Sequence, residues 1–178
     1  MTVNENDSRF QQSRKITIVG CIGIIVIATL LFVISGVIAR NSVQEKYNVA
    51  IAKRAAMRTQ LEKVPDIFNR MTGFGCGADV EAIVEDAIDQ VNGLHDVAQI
   101  GELEHTWDIC TDAWNEINRG CRESRNEPAF IDLQTEMEGV RNRYSTEKNN
   151  YLEAEEVYNN SLNGLMEKMF GIDFGRLD

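Results

Sequence analysis

Ile16 to Ala39 reads ITIVGCIGIIVIATLLFVISGVIA, 24 residues without one charged side chain. As a helix rising about 1.5 Å per residue, this run would reach roughly 36 Å, more than the roughly 30 Å hydrocarbon core of a bilayer. A buried helix of a water-soluble fold keeps a polar stripe, whereas here Ile, Val, Leu and Phe fall on every side of the helical wheel, relieved only by Thr17, Thr29 and Ser35. The run is also too long for the apolar core of a cleaved signal peptide, about 7 to 15 residues. Ile18-Val19-Gly20-Cys21 has the look of a lipid-attachment site, but the apolar run continues far beyond it, so Cys21 reads as a lipid-facing or packing cysteine. The expectation is a single-pass transmembrane helix over 16–39, preceded by a polar tail over 1–15 and followed by a helical domain over 40–178.

The orientation stays open at this level. Arg9, Arg14 and Lys15 precede the run, and Arg40, Lys46, Lys53, Arg54 and Arg58 follow it. The raw count favours a cytoplasmic C-terminal domain, while the tight Arg14-Lys15 pair argues for an N-terminus held inside.

The 139 residues after Ala39 are enough for one domain with a real core. With two prolines in the chain and no long alternating β-branched run, the predicted class is all-α: a transmembrane helix continuing into an antiparallel helical bundle, its first and last helices long and coiled-coil-like. The first soluble helix shows a seam of Tyr47, Ala50, Met57, Leu61, Val64, Phe68 and Met71, interrupted by Arg54. That arginine either snorkels to water or meets a carboxylate from the last helix or from a neighbouring copy. Pro65 is expected to kink this helix near its end, and GFGCG (73–77) to break it. A second helix is read over 79–99 (Val80, Val84, Ala87, Val91, Leu94, Ala98), with a break or bend at Gly101. A third follows (Leu103, Trp107, Cys110, Trp114, Ile117, Cys121). The last helix starts with Asn126 as N-cap and Pro128 in its first turn, and carries Phe130, Met137, Tyr144, Tyr151, Tyr158 and Leu165 every seven residues. It should run antiparallel to the first and bring the apolar stretch 165–174 back to the membrane interface.

Charge is concentrated in the middle hairpin, about 77–121. Between Arg70 and Arg119 there is no Lys or Arg, and eleven acids. That excludes the basic face of a nucleic-acid binder. Glu104, Asp108, Asp112 and Glu116 follow one another at i+4 on one helix, and Glu81, Glu85 and Asp89 do the same on the other. These seven residues form a candidate acidic face, opposite the apolar seams, for a basic protein partner or divalent cations; the alternative is a merely solvated surface. The hairpin is expected at the membrane-distal end.

Catalytic chemistry finds no foothold. A bundle di-iron site needs two Glu-x-x-His pairs, and only Glu102/His105 qualifies, since His95 follows Asn92. Neither histidine has an evident Ser or Cys partner, and the glycines at 73, 75 and 77 follow no strand. The Trp and Tyr residues on the seams read as core. No catalytic residue, cofactor or metal ligand is assigned. The four cysteines show no CxxC and no Cys/His ligand spacing. Cys110 and Cys121 would lie about 16 Å apart on one helix, so free thiols are expected.

The stretch QLEKVPDIF (60–68) with Thr72-Gly73-Phe74 resembles the "DLIPNLV...KGY" segment of the LemA family. NEPAFIDLQTEMEG (126–139) is similar to that family's "NENFLQLQDELEG". Asn142-Arg143, Tyr151, Tyr158-Asn159 and Phe170-Gly171 fall where the family shows "ENRI", two "YN" pairs and "FGF". The middle hairpin, 76–120, matches only in helical character. The resemblance implies an N-terminal anchor, an all-α domain, no established catalytic residues, and a place in bacterial membrane or envelope organisation. Residues and resemblance together lead to the expectation of a non-enzymatic, single-pass membrane scaffold or docking protein. It would self-associate at the bilayer of a bacterial inner or cell membrane. The alternative is an adaptor regulating another membrane protein such as a protease or transporter.

Overall fold

The computed structural model describes residues 4–95, 98–164, 168, 171 and 177, with side chains from Ile22 onward. Among these there is no strand. The helices are α1 (Asn4–Leu61), α2 (Val64–Thr72), α3 (Ala78–Asn92), α4 (Ile100–Gly120) and α5 (Pro128–Ser161), with a 3-10 turn at Glu123–Asn126. Two compact units divide the chain, one built on residues up to Gln44 and the other on Glu45–Asn160.

In the first unit, α1 presents apolar side chains outward; Ile24 is 70% and Ile38 64% exposed. It is one helix long and apolar enough to cross a membrane. Within the apolar run, the hydroxyls of Thr29 and Ser35 bond to the helix's own backbone. Thr29 Oγ1 donates to the Ile25 carbonyl and Ser35 Oγ to the Leu31 carbonyl, each at 2.8 Å. Both hydroxyl donors are therefore satisfied within the helix, which an apolar surround requires.

The second unit holds the core. Ala50, Met57, Leu61, Val64, Phe68 and Met71 are fully buried, as their seam predicts, and Ile67 joins them. The disturbance expected at Pro65 takes the form of a helix break. Pro65 has no N–H to donate to the Leu61 carbonyl, so α1 ends at Leu61 and Pro65 sits in the first turn of α2, where that donor is not needed. The second predicted helix is also shorter than expected: α3 stops at Asn92-Gly93. A new helix begins at Ile100, because the Glu102 carboxylate caps the Gln99 N–H at 2.8 Å. Gly101 therefore lies inside α4 rather than at a break. Asn126 belongs to the 3-10 turn and is not the cap of α5. The residue before a proline is disfavoured in the α region, so Glu127 is extended (φ −73°, ψ 130°), and its carbonyl accepts from the Phe130 and Ile131 N–H groups.

Phe130, Met137, Tyr144, Tyr151 and Tyr158 line the buried side of α5; Leu165 and most of the expected interfacial stretch lie outside the described residues. Contacts with α5 run in opposite chain order. Tyr47 on α1 meets Tyr158 edge-on at 5.4 Å, Lys53 pairs with Glu147 at 3.8 Å, Arg70 on α2 pairs with Glu136 at 2.6 Å, and Phe74 meets Phe130 at 5.4 Å. Helix α4 does likewise, with Glu104 on Lys148 at 2.7 Å near its start and Asn118 on Gln134 at 2.8 Å near its end.

The expectation of free thiols is overturned at the base of the α3–α4 hairpin. Cys76 and Cys121 form a disulfide with their Cα atoms 4.3 Å apart. Cys110 and Cys121 are indeed unpaired with each other, but Cys76 just before α3 and Cys121 just after α4 bracket a hairpin whose ends meet. Glycine permits the meeting. A Cβ on Gly120 would stand 2.5 Å from Val80 Cγ2 and 3.0 Å from the Cys76 carbonyl, and Gly75 and Gly77 take φ of +74° and +92° in the turn from α2. Cys110 remains a free, buried thiol.

The chain-entropy model assigns a bridge between residues 45 apart about 4 kcal/mol. The Cys76→Ser/Cys121→Ser double variant should therefore lose a few kcal/mol in denaturant unfolding of the detergent-solubilised chain. Reductant should lower the wild-type midpoint and leave that of the variant unchanged.

Candidate functional site

The seven acids of the candidate face do not form one uniform surface. On α3, Glu81, Glu85 and Asp89 are all exposed, with Asp86 beside them. On α4 the stripe is partly used by the fold. Glu104 is half-buried and holds Lys148 of α5, Glu116 holds Arg119 at 2.7 Å, and only Asp108 and Asp112 stand exposed. The segment between Arg70 and Arg119 holds no cation of its own, and the two that offset this stripe come from outside it: Lys148 on α5 and Arg119 in the last turn of α4. Outward projection holds for the α3 residues and for the middle of α4.

One feature escaped the sequence reading. Both histidines of the chain line a single cleft of about 400 Å³ where α3 ends and α4 begins, with Asp89, Leu94, Glu102 and Thr106. His95 lies in the connecting turn and His105 on the second turn of α4, and both are exposed. Their pairing was hidden because the helix break at Gly93 was not foreseen. The cleft offers imidazoles and carboxylates to a small polar group. Its Glu102 carboxylate is already engaged in capping α4, and among the described residues no three His, Cys, Asp or Glu side chains converge as a metal ion would need.

Cys110 and Tyr144 are buried titratable groups of the helical unit. Cys110 is fully buried, and burial pushes its thiol from 9.0 up to about 12, so a thiolate does not form near neutrality. The Tyr144 hydroxyl donates to the Leu103 carbonyl at 3.1 Å, and its ring stacks on Trp107 at 4.2 Å. Burial raises the pKa of this hydroxyl strongly, and the negative charges of Glu104, Asp108 and, once ionised, Cys110 add to the effect. Tyr144 is buried in the core, with Trp107 half-buried against it.

No protein-family model matches the chain, and no curated protein or solved structure does.

Three variants test this geometry. Glu104→Gln should lose the bridge to Lys148 and lower stability by a few tenths to about 1 kcal/mol, the range of a half-exposed pair. Asp108→Asn should act oppositely, relieving i+4 repulsion worth about 0.2 to 0.5 kcal/mol per pair; thermal melts of both variants in low salt would show the opposite signs. Because the folded state holds Cys110 and Tyr144 protonated, their contribution is complete below the ordinary Cys value of 9.0 and is lost as pH rises from there toward about 12. Cys110→Ala should flatten that alkaline decline in unfolding midpoints taken between pH 8 and 11.

Proposed function

We propose that this chain is a non-enzymatic, single-pass membrane-anchored helical scaffold or docking protein of LemA type, self-associating in the organisation of a bacterial inner or cell membrane. The observation that carries this reading is the outward-facing apolar surface of α1 from Ile22 to Ile38, on the same continuous helix that supplies Ala50, Met57 and Leu61 to the core. Such a surface is satisfied by lipid, and a folded unit built on the same helix has the form of a membrane-tethered antiparallel bundle.

Self-association draws on a second feature. Val49 on α1 and Leu152 and Val157 on α5 are each more than 40% exposed, close in sequence to the Tyr47–Tyr158 contact. Arg54 is half-buried and has no ion-pair partner among the described residues, and a carboxylate from a neighbouring copy would complete it. The alternative reading, an adaptor for another membrane protein such as a protease or transporter, draws on the exposed acids of α3, which suit a basic surface.

Mass measurement of the full chain in lipid nanodiscs separates the two. A scaffold gives a defined oligomer that Val49→Asp with Val157→Asp reduces to monomer. A strictly monomeric wild-type chain overturns self-association. An adaptor gives a stoichiometric heterologous partner on crosslinking pull-down from native membranes, and that capture weakens when Glu81, Glu85 and Asp89 are changed to amides.

A further inference from the structure

The Cys76–Cys121 disulfide bears on a question that charge counting leaves open. Both cysteines are buried, 6% and 3% exposed, and their bond closes the base of the α3–α4 hairpin where Gly120 lies against Val80 and the Cys76 carbonyl. A bond this enclosed by packing is a structural one. Structural disulfides form and persist in oxidising compartments, while cytosolic thiols are held reduced. The unit's third cysteine, Cys110, is wholly buried on α4 and offers no thiolate to reopen the bond by exchange.

The basic residues agree once their weights are considered. Lys and Arg set orientation when they lie in short segments of up to about 60 residues, whereas long domains translocate largely regardless of charge. The chain after Ala39 runs for 139 residues, so Arg40, Lys46, Lys53, Arg54 and Arg58 carry little orienting weight. Arg14 and Lys15 immediately precede the apolar run that starts at Ile16, and carry most of it.

We infer that the helical unit built on Glu45–Asn160 stands on the oxidising, extracytoplasmic side of the membrane, with Arg14 and Lys15 on the cytoplasmic side. The inference rests on the reading of Ile16–Ala39 as a membrane span. The bond is made by disulfide exchange with an oxidised thiol–disulfide oxidoreductase. One cysteine thiolate attacks a sulfur of the oxidant's disulfide and releases the oxidant's other sulfur as a thiolate. The second cysteine thiolate then attacks the mixed disulfide at the first cysteine's sulfur, and the remaining oxidant sulfur leaves. Two thiols of this chain give up two electrons and two protons, and the oxidant's disulfide becomes a dithiol.

The test uses the full chain in the inner membrane of a Gram-negative host. Cells are quenched in acid and the thiols alkylated under denaturing conditions. Two of the four cysteines should react before reduction and all four after it; Cys76→Ser should raise the unreduced number to three. Orientation is read with a membrane-impermeant maleimide on chains in which Cys21 and Cys110 are replaced by Ala. A cysteine at exposed position 145 (Ser145→Cys) should label in intact cells, and one at position 8 (Ser8→Cys) only after permeabilisation. The reverse labelling pattern, or four reactive thiols before reduction, in protein that stays in carbonate-washed membranes would overturn the inference and leave the span intact. Release of the protein by the carbonate wash would remove the span itself, and the inference with it.

Discussion

The helical unit is held to one side of α5. Phe130, Met137, Tyr144, Tyr151 and Tyr158 recur every seven residues, and none is more than 3% exposed. A period of seven keeps them near one face of a helix of 3.6 residues per turn, so a single stripe can receive several partners along its length. Phe130 receives Phe74 from the turn after α2, Tyr144 receives Trp107 and the Leu103 carbonyl from α4, and Tyr158 receives Tyr47 from α1. Tyrosine suits these rungs because its ring fills the wide gap between helices. The cost is a hydroxyl that needs a partner, and at position 144 the Leu103 carbonyl supplies one.

The α3–α4 hairpin is built on another principle. Most of its buried residues are small: Val80, Val84, Ala87 and Val91 on α3, and Thr106, Cys110 and Ala113 beside the larger Leu103 and Ile117 on α4. Small side chains bring two helices close but remove little apolar area from water, at about 25 cal/mol per Å². The acids on the outer faces oppose the association further. A covalent bond at the base, the Glu102 cap at the tip and the Glu104–Lys148 bridge to α5 offset both shortfalls. The hairpin can therefore carry an acidic surface that packing alone would support poorly.

Much of this was legible in the residues themselves. The apolar run, the all-α class and the heptad stripe of α5 follow from local spacing, because a side chain's face on a helix depends only on its position in the sequence. The seam from Ala50 to Met71 was visible for the same reason. Helix ends were read less well. Pro65 acts four residues back, through the Leu61 carbonyl it cannot bond, and Glu127 is extended because a proline follows it; both effects displace a boundary from the residue that signals it.

What only the tertiary structure decided concerns residues far apart in the chain. The partner of Cys76 is 45 residues away, and no spacing rule names it until α3 and α4 fold back on each other. The same return of the chain puts His95 and His105 on one cleft and hands Glu104 to Lys148, turning part of an apparently free acidic stripe into structure. Periodicity fixes which face of a helix is apolar, since that is a property of one helix alone. Which residues of different helices meet depends on where each helix stops and how closely its neighbour can approach, and here that was set by Gly93, Gly120 and the turn glycines Gly75 and Gly77.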